Sequence, residues 1–510
     1  MTLTGPSLPL FFVVPLVAAA LAVLVPGRAL HRALLIGVPL ASAAGGAALV
    51  ARHSSEPVLS ARLGGFVGGI AIPFVSDTLS AAMLVVTGVS TAIVLTFALR
   101  TREDELRFFP AMALLLVAGV NGALLTGDLF NLFVFVEVML LPSYALIAMT
   151  GTWRRLAVGR LFLVVNLVTS SVFLIGLALT YAAAGTVNLA ALAGRASEDP
   201  NVALGVGVVL LALVIKAGAV PVHGWLPRAY PATSASVMAL FAGLHSKVAL
   251  VAIIRITSVA FGASSTVTWV ALVLVVLSMV VGAWSSLGEN TIRRVLSFQM
   301  VSGVGHILVG VVVATAAAQA AGLVYMVHHI LTMGVLLLAA GAIEKTYGTG
   351  HLVRLADLLR REKALAWIVG LALLSILGLP PSSGFWGKVA LVVASAREGG
   401  WLAAVLIGAI LLASVLSMWA MQRLWHDVFW GPKMTVYRPR ERGKMLESAD
   451  KPVPLPDSVR IPGADLMPAG TLLGLSLVFF LTPGWWWPIA SRAAAGLLDV
   501  APYVEAVLGR

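Results

Sequence analysis

The sequence predicts an all-α polytopic membrane protein of about 14 transmembrane helices, with two inverted five-helix repeats and two discontinuous helices. Three observations support this fold class. Of the 510 residues, 60% are hydrophobic and only 11% are charged, whereas about a quarter of a typical soluble chain is charged. Apolar runs of about 20 residues, the length that crosses a bilayer as a helix, recur from one end to the other. Two of these runs are interrupted by glycine and proline.

The order of the apolar runs divides the chain into five regions. We predict an N-terminal three-span region (1–108), a first repeat (109–260), a second repeat (261–430), a cytoplasmic linker (431–466) and a C-terminal span with its tail (467–510). The glycine-rich stretch 54–77 predicts an extracellular loop or hairpin. The spans are expected at residues 8–25, 33–50, 79–99, 109–126, 129–150, 156–182, 202–222, 234–260, 267–287, 295–316, 321–343, 365–394, 401–428 and 468–488.

The distribution of basic residues orients the predicted helices. The net charge is +12, and most of the 34 Lys and Arg residues fall in alternate connecting loops. Because basic loops stay on the cytoplasmic side, both termini are expected outside the cell. The positive charge is therefore an orientation signal and predicts no nucleic-acid partner. The chain has no cysteine, which excludes disulfides, thiolate metal sites and cysteine-held redox clusters.

The seventh span is broken at membrane depth and carries a charge. It runs through Lys216, is interrupted at Gly218 and Pro221, and resumes through His223, while Lys247 follows in the eighth span. Placing a charged side chain at the bilayer centre costs roughly 3 kcal/mol. A broken helix is tolerated there only against protein or a water-filled cavity. Together these features predict an ion path.

The twelfth span repeats this pattern five spans later. Its break contains Pro380, Pro381 and Gly384, and Lys388 follows. Corresponding broken helices in the two halves of a chain indicate a transport site built from inverted repeats. Since five is an odd number of spans, the two copies are expected to face opposite ways across the membrane.

The ionisable groups at mid-membrane favour proton handling. Glu137 is the only carboxylate at this depth, about 12 Å into its span at 1.5 Å per residue. The mid-membrane cations are all lysines, although arginine is the commoner basic residue of the chain. Arginine does not release its proton in proteins, whereas a buried lysine does. The candidate relay residues are Glu137, Lys216, Lys247, Lys388, His328 and His329, with His223, His245 and His306 as further possible members.

Structural roles compete with the relay at several positions. Glu137 and Lys216 could form a static buried ion pair. The histidines at the first break and in the tenth span could be structural hydrogen-bonding groups. His328 and His329 are adjacent and point about 100° apart on a helix, so only one is expected to face a given path. We favour His328.

Three motifs carry a family resemblance. GDLFNLFVFVEVMLLPSY (127–144), IKAGAVPVHGWLPRAYPATSASV (215–237) and LHSKV (244–248) resemble the D subunit of Mrp-type multisubunit cation/proton antiporters. The superfamily also contains the proton-pumping, antiporter-like subunits of respiratory complex I and of membrane-bound hydrogenases. The resemblance extends across a ten-span core from about residue 109 to residue 428.

The resemblance implies a hydrophilic axis along the middle of the membrane. Glu137 and Lys216 would form a switchable pair, and Lys247 would be the bridge to the second half. The histidines of the tenth and eleventh spans would follow, and Lys388 would be the far exit.

One stretch departs from the pattern of the relatives. They commonly carry a lysine a few residues after the first histidine of the eleventh span, where this chain reads HHILTMG, with Thr332 and Met333. His329 or ordered water is therefore expected to cover the gap.

The predicted function is that of a proton-translocating subunit of a multisubunit Na+/H+ antiporter, a secondary active transporter rather than an enzyme. No cofactor and no metal site are expected. The implied partners are other membrane subunits, the lipid bilayer and the transported H+ and Na+, in the bacterial cytoplasmic membrane. Because oxygen ligands are scarce at depth, Na+ is expected to cross mainly through a partner subunit. The alternatives are a proton-pumping subunit of a complex I-like NADH/quinone oxidoreductase or hydrogenase, and a scaffold with inert ion pairs.

Overall fold

The computed structural model describes residues 3–149, 153–262, 265–439 and 451–509. Within these ranges twelve helices are long and apolar enough to cross a membrane. Two further apolar helices, Phe109–Leu125 and Lys363–Leu377, are shorter. The strands in the described ranges form two small hairpins. The all-α polytopic fold is therefore confirmed.

The helices are numbered in chain order. In the first half they are α1 (Leu10–Leu24), α2 (Arg28–Arg52), α3 (Thr78–Thr101), α4 (Phe109–Leu125), α5 (Leu129–Ala148), α6 (Trp153–Ala184), α7 (Arg195–Glu198), α8 (Pro200–Ala217), α9 (Leu226–Ala229), α10 (Ala235–Gly243) and α11 (His245–Ile256). In the second half they are α12 (Ser265–Ser286), α13 (Ile292–Val313), α14 (Ala316–Tyr347), α15 (Leu358–Arg361), α16 (Lys363–Leu377), α17 (Ser383–Glu398), α18 (Gly400–Phe429), α19 (Gly463–Leu481), α20 (Pro483–Leu498) and α21 (Ala501–Leu508).

Four helices form the centre of the molecule. Almost all side chains of α10, α11, α13 and α14 are buried, as expected for helices that are apolar on every face. The long helix α14 packs against α13, α10, α16, α17, α19 and α20. By contrast, α6, α12 and α18 expose apolar side chains such as Leu167, Val273 and Leu411. The titratable groups of the central helices are consequently shielded from the surroundings by protein.

The predicted hairpin after α2 is present. Strand β1 (Val58–Arg62) pairs antiparallel with β2 (Pro73–Asp77). The N-terminal turn Gly5–Ser7 and the C-terminal helix α21 both pack on this hairpin, and Ser60 Oγ donates a hydrogen bond to the Ala506 carbonyl at 2.5 Å. Both ends of the chain therefore lie at the same end of the molecule.

The two predicted helix breaks share one backbone pattern. Helix α8 ends at Gly218, which has a left-handed conformation (φ 75°), and the peptide before Pro221 is cis. Helix α16 ends at Gly378 (φ 81°), and the peptide between Pro380 and Pro381 is cis. Glycine ends each helix because it lacks a Cβ, and the proline three residues later has no N–H to continue it. Both discontinuities lie where the sequence predicts them.

Gly384 does not belong to the second break. Helix α17 begins at Ser383, so Gly384 lies in its first turn. A Cβ at this position would overlap the Ser375 carbonyl oxygen and lie 2.8 Å from His328 Cε1. Glycine is needed here for the close approach of α16 and α14 rather than for chain reversal.

A third discontinuity divides the predicted eighth span, 234–260. Helix α10 ends at Gly243 and α11 begins at His245, because Leu244 departs from helical geometry (φ −115°, ψ −63°). A π-helical turn, Thr257–Phe261, ends this span. The local sequence FAGLHSK contains no proline, and one glycine is tolerated inside a helix. The sequence therefore carries little signal for this break.

The C-terminal region contains more helices than predicted. Helix α19 begins at Gly463, inside the predicted linker, and Pro483 starts α20 after a one-residue gap. The predicted span 468–488 therefore crosses the junction of two helices. In the linker, β3 (Val436–Tyr437) pairs with β4 (Val453–Pro454), and residues 440–450 lie outside the described ranges.

Candidate functional site

Ionisable side chains converge on the middle of the molecule. Lys247 is fully buried (0% exposed), and Lys216 and Lys388 are 6% and 8% exposed. Glu137 on α5 is half-buried. The histidines in the same buried region are His245, His306, His328 and His329.

Glu137 and Lys216 do not form an ion pair in this structure. The Glu137 carboxylate accepts a hydrogen bond from Ser170 Oγ on α6, and Lys216 Nζ is buried without a hydrogen-bond partner. No N–O distance between the two side chains is 4.0 Å or less. The Glu137 charge still acts electrostatically on the Lys216 ammonium. The pair is therefore open, and the static ion pair that the sequence allowed is not formed.

Side chains of neighbouring elements hold the break behind Lys216. Trp225 Nε1 donates a hydrogen bond to the Ile215 carbonyl at 3.0 Å. Ser278 Oγ on α12 accepts one from the Val220 N–H at 3.0 Å. These bonds replace helical bonds that the break removes, as buried backbone groups require. Lys216 consequently lies at the C-terminal end of a half-helix, where the helix dipole favours a cation.

His245 connects the first break to α5. Its Nε2 lies 2.8 Å from Ser143 Oγ on α5, and its Nδ1 lies 3.5 Å from the Tyr230 hydroxyl. The Lys216 charge acts on this imidazole, and Lys247 follows two residues later on α11. His245 therefore lies within electrostatic reach of Lys216 and two residues before Lys247 on the same helix.

Lys247 is joined directly to His329 on α14. Its Nζ lies 3.0 Å from His329 Nδ1 and 3.2 Å from Ser246 Oγ. Because an ammonium group has no acceptor, Nδ1 accepts this hydrogen bond. His329 Nε2 makes no hydrogen bond of normal geometry, although the Gln299 carbonyl lies close enough to interact with the ring. Gly303 on α13 leaves room for the ring, since a Cβ there would overlap Nε2.

A small polar cavity of about 10 Å³, room for about one water molecule, lies beyond His329, among α13, α14, α16, α17 and α18. Its lining includes His306, His328, His329 and Lys388. Both adjacent histidines therefore reach one cavity, contrary to the expectation that only one would. They approach it differently, because His329 turns towards the first half while His328 turns towards α16 and α17.

His306 presents a second unpaired nitrogen. Its ring stacks on Tyr325, with centroids 4.8 Å apart. Its Nδ1 lies 2.9 Å from the Ser302 carbonyl, to which it donates, and its Nε2 has no partner. The rings of His306 and His329 thus line one polar cavity, and each has an Nε2 that makes no hydrogen bond of normal geometry. Such a cavity suits an ordered water molecule.

His328 makes its hydrogen bonds to hydroxyl groups. Its Nδ1 lies 2.9 Å from Ser383 Oγ, 3.1 Å from Thr332 Oγ1 and 3.3 Å from Ser375 Oγ. Thr332 belongs to the HHILTMG stretch that departs from the relatives. In this chain the Thr332 hydroxyl in that stretch bonds to His328, and His329 in the same stretch contacts Lys247.

Lys388 lies on the far side of the cavity. Its Nζ donates hydrogen bonds to Ser414 Oγ on α18 at 2.8 Å and to the Leu377 carbonyl at 3.2 Å. Leu377 is the last residue of α16, so its carbonyl is freed by the second break. The Lys388 charge acts on His306 and His328.

His223 stands apart from this arrangement. It lies half-buried in the turn after the first break, with its ring edge-on to Phe298 at 6.3 Å. Its Nδ1 has no hydrogen-bond partner. The structure brings it to none of the other candidate histidines or lysines among the described residues.

Sequence reasoning missed the neutral polar groups of the axis. Serine and threonine are common in membrane helices, so their presence alone gives no signal. Gln299 was detectable from the sequence, because it is an amide in the middle of a span. It accepts a hydrogen bond from Ser417 Oγ and donates one to Ser286 Oγ, at 2.9 Å each. Tyr325 was also detectable, because it precedes the two histidines by one helical turn. The hydroxyl residues missed are Ser143, Ser170, Tyr230, Ser375, Ser383, Ser414 and Ser476.

Comparisons with known proteins identify the family and the fold. Residues 126–417 match the sequence profile of the NADH:quinone oxidoreductase/Mrp antiporter transmembrane family. The chain is 32% identical over 467 residues to the D subunit of the Na(+)/H(+) antiporter of Bacillus subtilis (strain 168), an alignment that covers 90% of each protein. It is 39% identical to a chain in the structure of the Mrp complex from Dietzia sp. DQ12-45-1b, with a TM-score of 0.92 over 99% of both chains. A chain of respiratory complex I from Thermus thermophilus shares the fold at 24% identity, with a TM-score of 0.73 over 95% of this chain and 99% of that one.

Proposed function

Because the chain belongs to the NADH:quinone oxidoreductase/Mrp antiporter transmembrane family, we propose that it translocates protons as the D subunit of a multisubunit cation (Na+)/H+ antiporter. It is a transporter subunit and not an enzyme. The likeness to the D subunit of a Na+/H+ antiporter extends over nearly the whole chain. For respiratory complex I the likeness supports the fold alone. The antiporter is therefore favoured over a redox-driven pump.

The observation that carries the proposal is the 3.0 Å contact between Lys247 and His329. This contact connects the buried lysines of the first half with the polar cavity of the second. Without it the two halves would hold separate polar pockets. With it, we infer one route for protons from α5 to α17.

The proposed route uses groups that can both take up and release a proton. It starts at Glu137 and Lys216, passes His245 and Lys247, and crosses the cavity by way of the histidines to Lys388. A water molecule in the cavity would bridge the unpaired imidazole nitrogens. Lysine suits every cationic position, because it can pass on its proton and arginine cannot.

The driving step is the opening and closing of the pair Glu137–Lys216. At about 4 Å and an effective dielectric constant of about 20, two unit charges attract by about 4 kcal/mol. In a closed pair the charge of Glu137 stabilises the protonated form of Lys216. In the open arrangement seen here this stabilisation is weaker. Opening therefore sends the proton towards Lys247.

Na+ is proposed to cross mainly through a partner subunit. Sodium, like other hard cations, prefers several oxygen ligands, above all carboxylates. Among the described residues along the proposed route Glu137 is the only carboxylate, and the remaining polar groups are amines, imidazoles, hydroxyls and the Gln299 amide. Na+-dependent exchange by this subunit alone, purified and reconstituted, would contradict this part of the proposal.

The proposal includes an orientation and an internal symmetry. Basic loops favour both termini at the external face, and both ends of the chain lie at one end of the molecule. At each of the two breaks a left-handed glycine ends the half-helix and a proline follows three residues later. This shared pattern supports inverted repeats over 109–260 and 261–430.

The test is exchange by the complete complex in everted membrane vesicles of an antiporter-deficient host. Glu137→Gln and Lys216→Ala are each expected to lower Na+-driven proton movement at least about tenfold, equivalent to about 1.4 kcal/mol. Ser171→Ala is the matched control, because Ser171 lies exposed on α6 next to the Glu137 partner and bonds only its own helix. Wild-type exchange by both test variants would overturn the relay and favour an inert scaffold. Proton movement that needs a redox substrate and ignores Na+ would favour the pump.

A further inference from the structure

Four buried hydroxyl groups form a cluster around His328. They are Thr332 on α14, Ser375 on α16, Ser383 on α17 and Ser476 on α19, and each is at most 1% exposed. We call this set the hydroxyl cluster. It joins the second helix break to helix α19, which lies beyond the residues 126–417 that match the family profile.

Ser476 lies one hydroxyl away from the imidazole. Its Oγ is 2.7 Å from Ser383 Oγ, and Ser383 Oγ is 2.9 Å from His328 Nδ1. Thr332 and Ser375, which approach the same nitrogen, are 3.0 Å apart. Ser375 lies 3.5 Å from Ser383, so Ser476 is the much nearer partner of the Ser383 hydroxyl.

Beyond Ser476 the cluster is closed by aromatic residues. The rings of Phe385 and Phe480 are 6.1 Å apart, and Trp386 Nε1 donates a hydrogen bond to the Phe480 carbonyl at 2.9 Å. These contacts join α17 and α19 one turn past Ser383 and Ser476. The cluster is therefore a side pocket of the route, suited to orienting His328 rather than to conducting protons outwards.

The hydroxyl pair supports both protonation states of His328 Nδ1. When Nδ1 is unprotonated, Ser383 donates to it and accepts from Ser476. When Nδ1 carries a proton, it donates to Ser383, whose own hydrogen turns to Ser476. Loss of Ser476 leaves the first arrangement its hydrogen bond to Nδ1. In the second arrangement it leaves the buried Ser383 hydrogen only the more distant Ser375 hydroxyl, at 3.5 Å, as an acceptor. An unsatisfied buried donor is unfavourable, so the change acts mainly against the protonated ring.

We propose that Ser476 is a positioning residue of the proton relay, which acts through Ser383 to let His328 accept and release a proton at Nδ1. This inference rests on the proposed function, because it requires His328 to carry protons. It gives helix α19 a part in transport.

Several titratable groups face His328 and share its electrostatic environment. They are His306 on α13, Tyr325 and His329 on α14, and Lys388 on α17. Helices α16 and α19 contribute only hydroxyls to this contact, namely those of Ser375 and Ser476. A substitution at Ser476 thus changes hydrogen bonding at His328 without removing a charge from the cavity.

The experiment measures the pH profile of Na+-driven exchange by the complete complex in everted vesicles, normalised to the amount of assembled complex. Ser476→Ala is expected to shift the profile by about one unit towards lower pH, comparable to the loss of one hydrogen bond. Ser476→Thr, which keeps the hydroxyl, is expected to restore the wild-type profile. Thr471→Val is the matched control, because Thr471 lies exposed on the same helix and bonds its own backbone.

Ser476→Cys guards against a defect in folding, because it keeps a side chain of similar size with only a weak donor and acceptor. It is expected to shift the profile as Ser476→Ala does. His328→Gln distinguishes a failure of the proton relay from a failure of the role proposed for Ser476. If His328→Gln abolishes exchange while Ser476→Ala and Ser476→Cys keep the wild-type profile, the inference about Ser476 fails and the relay stands. If His328→Gln exchanges like wild type, the place of His328 in the relay fails, and the inference with it.

Discussion

Nζ of Lys247 on α11 lies 3.0 Å from Nδ1 of His329 on α14. Both side chains are buried in the centre of the molecule, where this contact joins the two halves of the chain. The family resemblance implied Lys247 as the bridge, and His329 or ordered water was expected to cover the gap in the HHILTMG stretch. In the structure His329 provides the contact and Thr332 bonds to His328.

Lys247→Arg is expected to lower exchange at least about tenfold. Arginine keeps the positive charge and can still donate to His329, but it does not release its proton in proteins. The measurement is Na+-driven exchange in vesicles that contain the assembled complex. Lys345→Arg, a change at the end of α14 where Lys345 pairs with Asp465, is expected to keep wild-type exchange. Near-normal activity of Lys247→Arg would show that this position needs only a charge.

Gly303→Ala is expected to disrupt the same contact from the other side. A Cβ at position 303 would overlap His329 Nε2, so the ring must turn away from its place between Lys247 and the cavity. Exchange is expected to fall about tenfold or more while the complex still assembles. Gly408→Ala on α18 is the control, since a Cβ there meets no atom within 4 Å. Equal activity of the two variants would argue against a precise position for the His329 ring.

Asp465→Asn is expected to weaken the attachment of α19. The Asp465 carboxylate is buried in the first turn of α19 and pairs with Lys345 Nζ at 2.7 Å and Arg100 Nε at 3.3 Å. Because both cations are partly exposed, we expect a loss of about 1–3 kcal/mol in the free energy of unfolding. The measurement is thermal unfolding of the purified complex in detergent.

The control for this prediction is Asp457→Asn. Asp457 is 77% exposed and lies 3.6 Å from both Arg361 and Lys433. Exposed ion pairs contribute about 0–1 kcal/mol, so this variant is expected to unfold like wild type. An equal effect of the two substitutions would show that burial of Asp465 adds nothing to its contribution.

The hairpin of β1 and β2 is expected to loosen in acid. Burial lowers the pKa of His53 below its ordinary value of 6.5, and the hydrogen bond to the Glu56 carbonyl offsets only part of this effect. The neutral ring bonds Glu56 through Nδ1 at 2.8 Å and Ser76 through Nε2 at 2.9 Å. Since the pKa in the folded state is the lower one, the stabilisation is complete above pH 6.5 and is lost as pH falls through the folded pKa.

Hydrogen exchange of the hairpin amides, corrected for intrinsic rates, measures this pH dependence. Protection is expected to be constant above pH 6.5 and to decline at lower pH in the wild type. His53→Gln is expected to remove the pH dependence, whereas His31→Gln, at a half-buried histidine near the start of α2 that bonds the Val25 carbonyl, is expected to keep it. A pH-independent hairpin in the wild type would contradict the prediction.

Features with a local cause were predictable from the sequence. A charged residue inside an apolar run is visible without a structure, which is why Lys216, Lys247 and Lys388 were recognised. The breaks at Gly218–Pro221 and Pro380–Pro381 were also predictable, because glycine and proline impose their own backbone restrictions. The break at Leu244 was not, since leucine has no such restriction and its conformation depends on the packing of α10 and α11.

The sequence by itself determined which groups are buried in the membrane, because hydropathy and charge act over a single helix. Which of these groups meet was decided only by the tertiary structure. Lys247 and His329 are 82 residues apart, and whether His329 or His328 faces Lys247 depends on the rotation of α14 against α11. The same holds for Ser476, which meets Ser383 across 93 residues of chain. Contacts of this kind follow from how helices pack side by side, and no spacing along one helix contains that information.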